Sequence, residues 1–223
     1  MKNLVILLLF AAFASGCADD DDANDSKMVP NQILLTAENV MVRITLQYDE
    51  QRRVISHHIQ TADIEHIDYQ YSYDAEGKLA SYHYATGNSE GDVIVTYDNQ
   101  NRISGFVSGN TTNPVVYAGN SVTYNGETYI LTDKGDIGSK SNVQFDYLTK
   151  NGVMAHVDQF NALLFTILDP YSAYYASNRA IKGYTVMNTP VVFEHTFGKG
   201  GMPASSVIDF GNEVTMTYQY IAF

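Results

Sequence analysis

Three segments close a run of alternating residues in the same way: Tyr48-Asp49-Glu50-Gln51-Arg52-Arg53-Val54, Tyr73-Asp74-Ala75-Glu76-Gly77-Lys78-Leu79 and Tyr97-Asp98-Asn99-Gln100-Asn101-Arg102-Ile103. Their tyrosines stand 25 and 24 residues apart, the length of a strand, a turn and a returning strand, so each unit is one hairpin. The residue types suit a reversal. An aspartate accepts backbone N–H bonds two residues on, and Gly77 or Asn101 tolerates the left-handed backbone that the turn requires. Arg52 holds that place in the first copy. The basic residue that follows faces the aspartate across the turn, an exposed pair worth ~0.2–1 kcal/mol, and Val54, Leu79 or Ile103 restarts the apolar alternation.

Period-two alternation runs through the rest of the chain. Ile44, Leu46 and Tyr48 alternate with Arg43, Thr45 and Gln47; Ile67, Tyr69, Tyr71 and Tyr73 alternate with Asp68, Gln70 and Ser72. Near the end Val214, Met216, Tyr218 and Tyr220 alternate with Thr215, Thr217 and Gln219. Strands with one apolar and one polar face belong to antiparallel sheets. Asn125-Gly126 marks a further hairpin, and weaker copies of the repeat are expected at Thr132–Ile137 and Tyr147–Val153. The rhythm breaks at Phe160–Leu168 (FNALLFTIL), which lacks alternation, and in the following YSAYYASN Tyr171, Tyr174, Tyr175 and Asn178 fall at helical spacings. The expected fold is mainly β: an antiparallel meander forming a strongly curved sheet or barrel, with a short helical or irregular insert covering the concave face.

The amino terminus carries an address. Lys2 precedes an eleven-residue apolar segment, Leu4–Ala14, which is too short to cross a hydrocarbon core and has the form of a secretory signal peptide. Ala14-Ser15-Gly16-Cys17 resembles a bacterial lipobox, with Ala14 where leucine is usual, and implies lipidation of Cys17. Cys17 is the single cysteine of the chain, so it has no internal disulfide partner. Asp19, Asp20, Asp21 and Asp22 follow; the run suits an extended, solvated tether and resembles the acidic export signal that sends Bacteroidota lipoproteins to the cell surface. The expected organisation is a signal peptide over 1–16, a lipidated cysteine and acidic tether over 17–29, and a single β-meander domain over 30–223.

The repeats resemble the YD repeats of Rhs-type proteins. Most of the mature chain resembles a family of Bacteroidota lipoproteins of unknown function described as having a porin-like fold. The repeats, the interrupting segment and the close, Phe193 to Pro203 then Val214 to Tyr220, carry that likeness, with Gly198 where the family usually has aspartate. The resemblance implies a barrel-like meander and supplies no catalytic residues.

Chemical motifs are few. The net charge of −12 and the lack of a Lys/Arg cluster exclude nucleic acid as a partner. Gly87-Asn88-Ser89-Glu90-Gly91 has the letters of a nucleophile elbow, but Asp92–Tyr97 reads as a strand where the elbow needs a helix. His57 and His58 must point to opposite faces. His66 and Asp68 share a face without the further ligands of a metal site, and Asp63 with Glu65 read as solvated strand residues. Gly198–Gly201 lacks the spacing of a phosphate loop. No catalytic residue, metal or cofactor is implied. Tyr171, Tyr174 and Tyr175 are the candidate ligand-binding residues, able to stack on a sugar.

The expected function is that of a lipid-anchored binding or scaffold module at the outer membrane, displayed on the cell surface or, alternatively, facing the periplasm. Its partners would be the membrane through the lipid anchor, the lipoprotein-processing and export machinery, and an apolar or glycan ligand. The alternatives are a soluble-barrel carrier of a lipid or other apolar ligand, and an extracellular hydrolase of glycans or peptides. A membrane channel is disfavoured, because charged residues interrupt several strands within the span a bilayer requires.

Overall fold

The computed structural model describes residues 27–61, 66–209 and 212–223. The strands run β1 (Met28–Ala37), β2 (Val40–Tyr48), β3 (Val54–Thr61), β4 (His66–Tyr73), β5 (Leu79–Thr86), β6 (Ser89–Tyr97), β7 (Ile103–Ser108) and β8 (Thr111–Ala118). They continue as β9 (Ser121–Tyr124), β10 (Glu127–Leu131), β11 (Ile137–Lys140), β12 (Val143–Asn151), β13 (Arg179–Val186), β14 (Thr189–Phe197), β15 (Pro203–Asp209) and β16 (Glu213–Ala222). Every neighbour in sequence is a neighbour in space, and β1 pairs antiparallel with β16, so the meander closes into a sixteen-stranded barrel without a free edge. Strand β1 begins at Met28, so the last two residues assigned to the tether are part of the wall.

The alternation sorts side chains by face. Ile33, Leu35, Ile44, Leu46, Tyr69, Tyr71, Val93, Val95, Phe193 and Met216 point inward and are buried. Arg43, Gln47, Gln60, Gln70, Asp92, Lys182, Glu194 and Gln219 point outward and are exposed. Bilayer-spanning barrels have the opposite arrangement, an apolar outside and a polar lumen. A barrel of this strand number commonly leaves an aqueous channel, but here the connection between β12 and β13 fills the space. It carries helix α1 (Ala162–Leu168), capped by Asn161 Oδ1 on the Leu164 N–H, and then a 3-10 turn at Ser172–Tyr174. Ala162, Leu163, Leu164 and Phe165 are all buried. The expected insert on the concave face is therefore an internal plug.

The two rims differ. At one, tight two-residue hairpins such as Asn125-Gly126 (φ 47° and 80°) join the strands. At the other lie the aspartate turns, the entry to the plug, and both ends of the barrel chain, where the Phe223 N–H bonds Lys27 O at 3.1 Å.

Each aspartate turn has one geometry. Asp49 Oδ1 accepts the N–H groups of Gln51 and Arg53, Asp74 Oδ1 those of Glu76 and Lys78, and Asp98 Oδ1 those of Gln100 and Arg102, all at 2.8–3.0 Å. The fourth turn residues Gly77 and Asn101 have φ of 84° and 60°, as their residue types lead one to expect, and Arg52, whose type departs from the pattern, takes the same conformation at 62°. A bulge follows each turn, leaving Ile55, Ala80 and Ser104 without a partner across the ladder. The repeats also lock to one another. Tyr73 OH donates to Val54 O (2.8 Å) and Tyr97 OH to Leu79 O (2.9 Å), while Arg53 lies 4.5 Å over the Tyr73 ring. Tyrosine, aspartate and base thus form a structural ladder around the rim.

The copy at Thr132 keeps the geometry with changed chemistry. Thr132 Oγ1 accepts the Lys134 and Asp136 N–H groups, and Gly135 takes the left-handed position. Asp136 stands where a base is expected and is fully buried; Arg179, from the far end of the plug, supplies the cation at 2.9 Å and lies 4.9 Å over Tyr147. The expectation of a turn at Tyr147–Val153 is corrected. Tyr147 does bond Ile137 O at 2.7 Å in the manner of the other tyrosines, but β12 continues to Asn151 and the chain then enters the plug.

Candidate functional site

The plug meets the wall along two kinds of surface, one sealed and one open. On the sealed side a polar cluster fastens them. His57, on β3, stacks on Phe165 of α1 (centroids 5.3 Å apart) and places Nε2 3.3 Å from both Asp169 Oδ2 and Tyr175 OH. Tyr175 donates to Asp169, whose Oδ1 accepts the Tyr171 N–H at 2.7 Å. His57 Nδ1 lies 3.4 Å from Tyr71 OH. His57 and Tyr175 have no exposed surface. Burial, with the Asp169 charge adding to it, pushes the Tyr175 hydroxyl well above its ordinary value, so it stays a donor. His57, Asp169 and Tyr175 satisfy one another away from solvent, and the cluster fastens the plug to the wall.

A second imidazole pair has the appearance of a catalytic dyad. His195 Nδ1 is 2.6 Å from Ser206 Oγ, and Nε2 is 2.6 Å from Ile181 O, so the ring donates through Nε2 and accepts the serine proton at Nδ1. Ser206 is fully buried and also contacts Tyr218 OH at 3.0 Å. A space of about 10 Å³ lies beside His195 and Tyr218, and Ser206 does not line it.

On the open side a cavity of about 230 Å³ separates the plug from the wall at the aspartate rim. The wall contributes Val54, Leu79 and Ile103, which restart the strands after the three repeat turns, together with Tyr71, Tyr73 and Tyr97. The plug contributes Val157, Phe160, Leu164 and Phe165, with the Phe160 and Phe165 rings 5.3 Å apart. Polar groups lie at Lys78, Asn101, Asp158, Gln159 and Asn161. The deeper polar atoms are committed: Tyr73 and Tyr97 to wall carbonyls, Asn161 to the helix cap, and Asp158 to Arg52 at 2.7 Å. Burial holds the Tyr73 and Tyr97 hydroxyls above their ordinary value and hence protonated. Gln159 is held at φ 57°, a conformation that costs a non-glycine residue roughly 1–3 kcal/mol and is concentrated at ligand clamps.

The candidates named from sequence take several places. Tyr175 is buried in the fastening cluster, Tyr171 and Tyr174 are half-buried beside it, and none of the three lines the 230 Å³ cavity. Ser89 is exposed at the start of β6 after a two-residue turn, the hairpin that its flanking strand implied. His58 and Asp68 meet on the outer face at 2.5 Å, with His66 alongside. Cys17, Asp19, Asp20, Asp21, Asp22, Asp63 and Glu65 lie outside the described residues. Sequence reasoning missed the cavity because its two walls are more than fifty residues apart. The one available signal was the repeat itself, whose restart residues turn out to line it.

No family model matches the chain, and no curated protein matches it. Among solved structures it is similar to a porin-like protein from Bacteroides uniformis ATCC 8492, at 11% identity and a TM-score of 0.45, covering 86% of this chain and 98% of that one. It is also similar to a porin-like protein from Bacteroides vulgatus ATCC 8482, at 10% identity and a TM-score of 0.42, covering 88% of this chain and 100% of that one.

Proposed function

We propose that this protein is a lipid-anchored binding module of the cell envelope, in which a plugged barrel holds a ligand cavity at the aspartate rim. The observation that carries the reading is the cavity between wall and plug, lined by aromatic rings and with polar groups at its edge. Concave sites in which apolar walls meet a few placed polar groups are the usual form of small-molecule sites, and this cavity presents polar and apolar surface in similar measure. A volume of about 230 Å³ falls below the ~300–1,000 Å³ of drug-sized pockets, which favours a compact ligand over an acyl chain and places the lipid-carrier alternative second. The polar outer face and the filled lumen favour a water-facing body over a channel.

Anchoring rests on the lipobox-like Ala14–Cys17 segment, and surface display on Asp19–Asp22. The barrel chain starts at the same rim as the cavity mouth, and eleven residues from Cys17 to Lys27, at up to ~3.6 Å each, reach no further than ~40 Å. The cavity is thus tethered close to the membrane.

Two experiments test the proposal. Native mass spectrometry of the protein purified from its own envelope should reveal a copurified small molecule, and a bare mass from every preparation argues against a binding role. Protease added to intact cells should remove the protein; survival beside a digested surface control contradicts surface display.

A further inference from the structure

The three repeat bases do not behave alike. Arg53 closes on its own Asp49 (2.6 Å) and Arg102 on its own Asp98 (2.7 Å). Lys78 reaches away from Asp74, placing Nζ 2.9 Å from Asn101 Oδ1 and 3.4 Å from Glu76 Oε2, at the cavity edge. The Glu76 side chain is 76% exposed, so that pair is screened by water and easily exchanged. The other charged group lining the cavity, Asp158, is already bound to Arg52. The edge therefore offers an exchangeable cation beside an amide, above a floor of Phe160, Phe165, Tyr73 and Tyr97, the two tyrosine hydroxyls being engaged with backbone carbonyls.

We infer that the cavity takes a small amphipathic anion: a compact aromatic or aliphatic body against the rings, and a carboxylate or similar head on Lys78 and Asn101. The inference rests on the binding role proposed above and adds its chemistry. A sugar needs several unengaged hydrogen-bond partners along its length, whereas Tyr73, Tyr97 and Asn161 are already bonded within the protein. An aromatic body gains from burial against the rings, and the head gains a charge-assisted bond. The second repeat carries lysine where the first and third carry arginine, and Lys78 leaves its own aspartate for the cavity.

Indole-3-acetate and its neutral counterpart tryptophol separate the two parts of the assignment. The chain contains no Trp, so indole emission reports the probe alone, and titration calorimetry gives the constants. Indole-3-acetate should bind the wild-type protein more tightly than tryptophol does. Lys78→Met, which keeps the alkyl stem, should weaken the acid by about tenfold, the size of a charged hydrogen bond, and leave tryptophol unchanged. Lys78→Arg should restore the acid, and Phe160→Ala, which removes one ring from the cavity lining, should weaken both. Circular dichroism establishes that each variant is folded. Equal binding of acid and alcohol, or insensitivity to Lys78→Met, overturns the anion assignment and leaves the binding role standing. Preferential binding of N-acetylglucosamine, weakened in Phe160→Ala, does the same in favour of a glycan. Failure of all three probes overturns the inference, and the copurification experiment then decides the binding role separately.

Discussion

At the scale of single residues, the aspartates of the rim are the best-defined interactions in the fold. Burial pulls the Asp49 carboxyl upward, but the side-chain and backbone hydrogen bonds and the charge of Arg53 outweigh it and hold the group below its ordinary value. The Arg102 backbone N–H, opposed in part by burial and joined by the Arg102 side chain, does the same for Asp98. A carboxyl depressed in the folded state contributes stability that is whole above its unfolded pKa, about 3.9. That contribution is lost as the pH falls through the lower folded value. Asp49→Ala, which strips two N–H groups of their acceptor, should cost about 1–2 kcal/mol, read as a lower urea midpoint at neutral pH. Asp49→Asn keeps Oδ1 and should lose less at neutral pH while flattening the fall in stability below pH ~4. The aspartates, and the left-handed positions three residues on, were legible from the repeat because turn chemistry is local. The tyrosine hydroxyl bonds to the previous repeat were not, since nothing in a linear spacing says which carbonyl a ring will reach across the sheet.

At the scale of elements, the plug is held at both ends by contacts that close long loops. Asp136 is fully buried and depends on Arg179 and the Asn178 N–H. Arg179→Met leaves that carboxylate without its cation and should cost about 3–5 kcal/mol. Adding Asp136→Asn should recover part of the loss, both measured by denaturant unfolding. Close backbone approach fixes a second point: a Cβ at Gly183 would lie 2.3 Å from Val191 O across the β13–β14 ladder. Gly183→Ala should therefore lose about 1–3 kcal/mol. Gly87→Ala, where nothing lies within 4 Å, should change thermal stability by no more than ~0.5 kcal/mol. Sequence marked the interval Phe160–Asn178 as the break in the meander. It did not show that the segment lies inside the barrel, because a short apolar run reads alike as buried helix or buried strand. The Thr132 turn shows the same limit: Asp136 stood out as a departure from the pattern, and its partner Arg179 lies 43 residues away.

At the scale of the whole molecule, the alternation that made the strands legible also determines which solvent the barrel can face. Tyr69 and Tyr71 turn inward onto the plug, Tyr82 packs beside them, and all three are buried, while Gln70 and Asp92 are exposed outside. Closure was not legible, because the β1–β16 pairing joins residues from opposite ends of the chain. Among the described residues the large exposed apolar side chains are Ile94, which faces Val107 on the next strand, Val116 and Val192 along the wall, and Val40, Met41, Met187, Ile221 and Phe223 near the strand ends, set on a surface that also carries Arg43, Gln70, Asp92, Lys182 and Glu194. We propose a barrel with its apolar side inward, tethered to a membrane rather than embedded in it. Purification of residues 27–223 in buffer without detergent should yield a folded, β-rich species that remains in solution; aggregation relieved only by detergent or lipid bilayers, with the β signal intact there, would overturn that proposal.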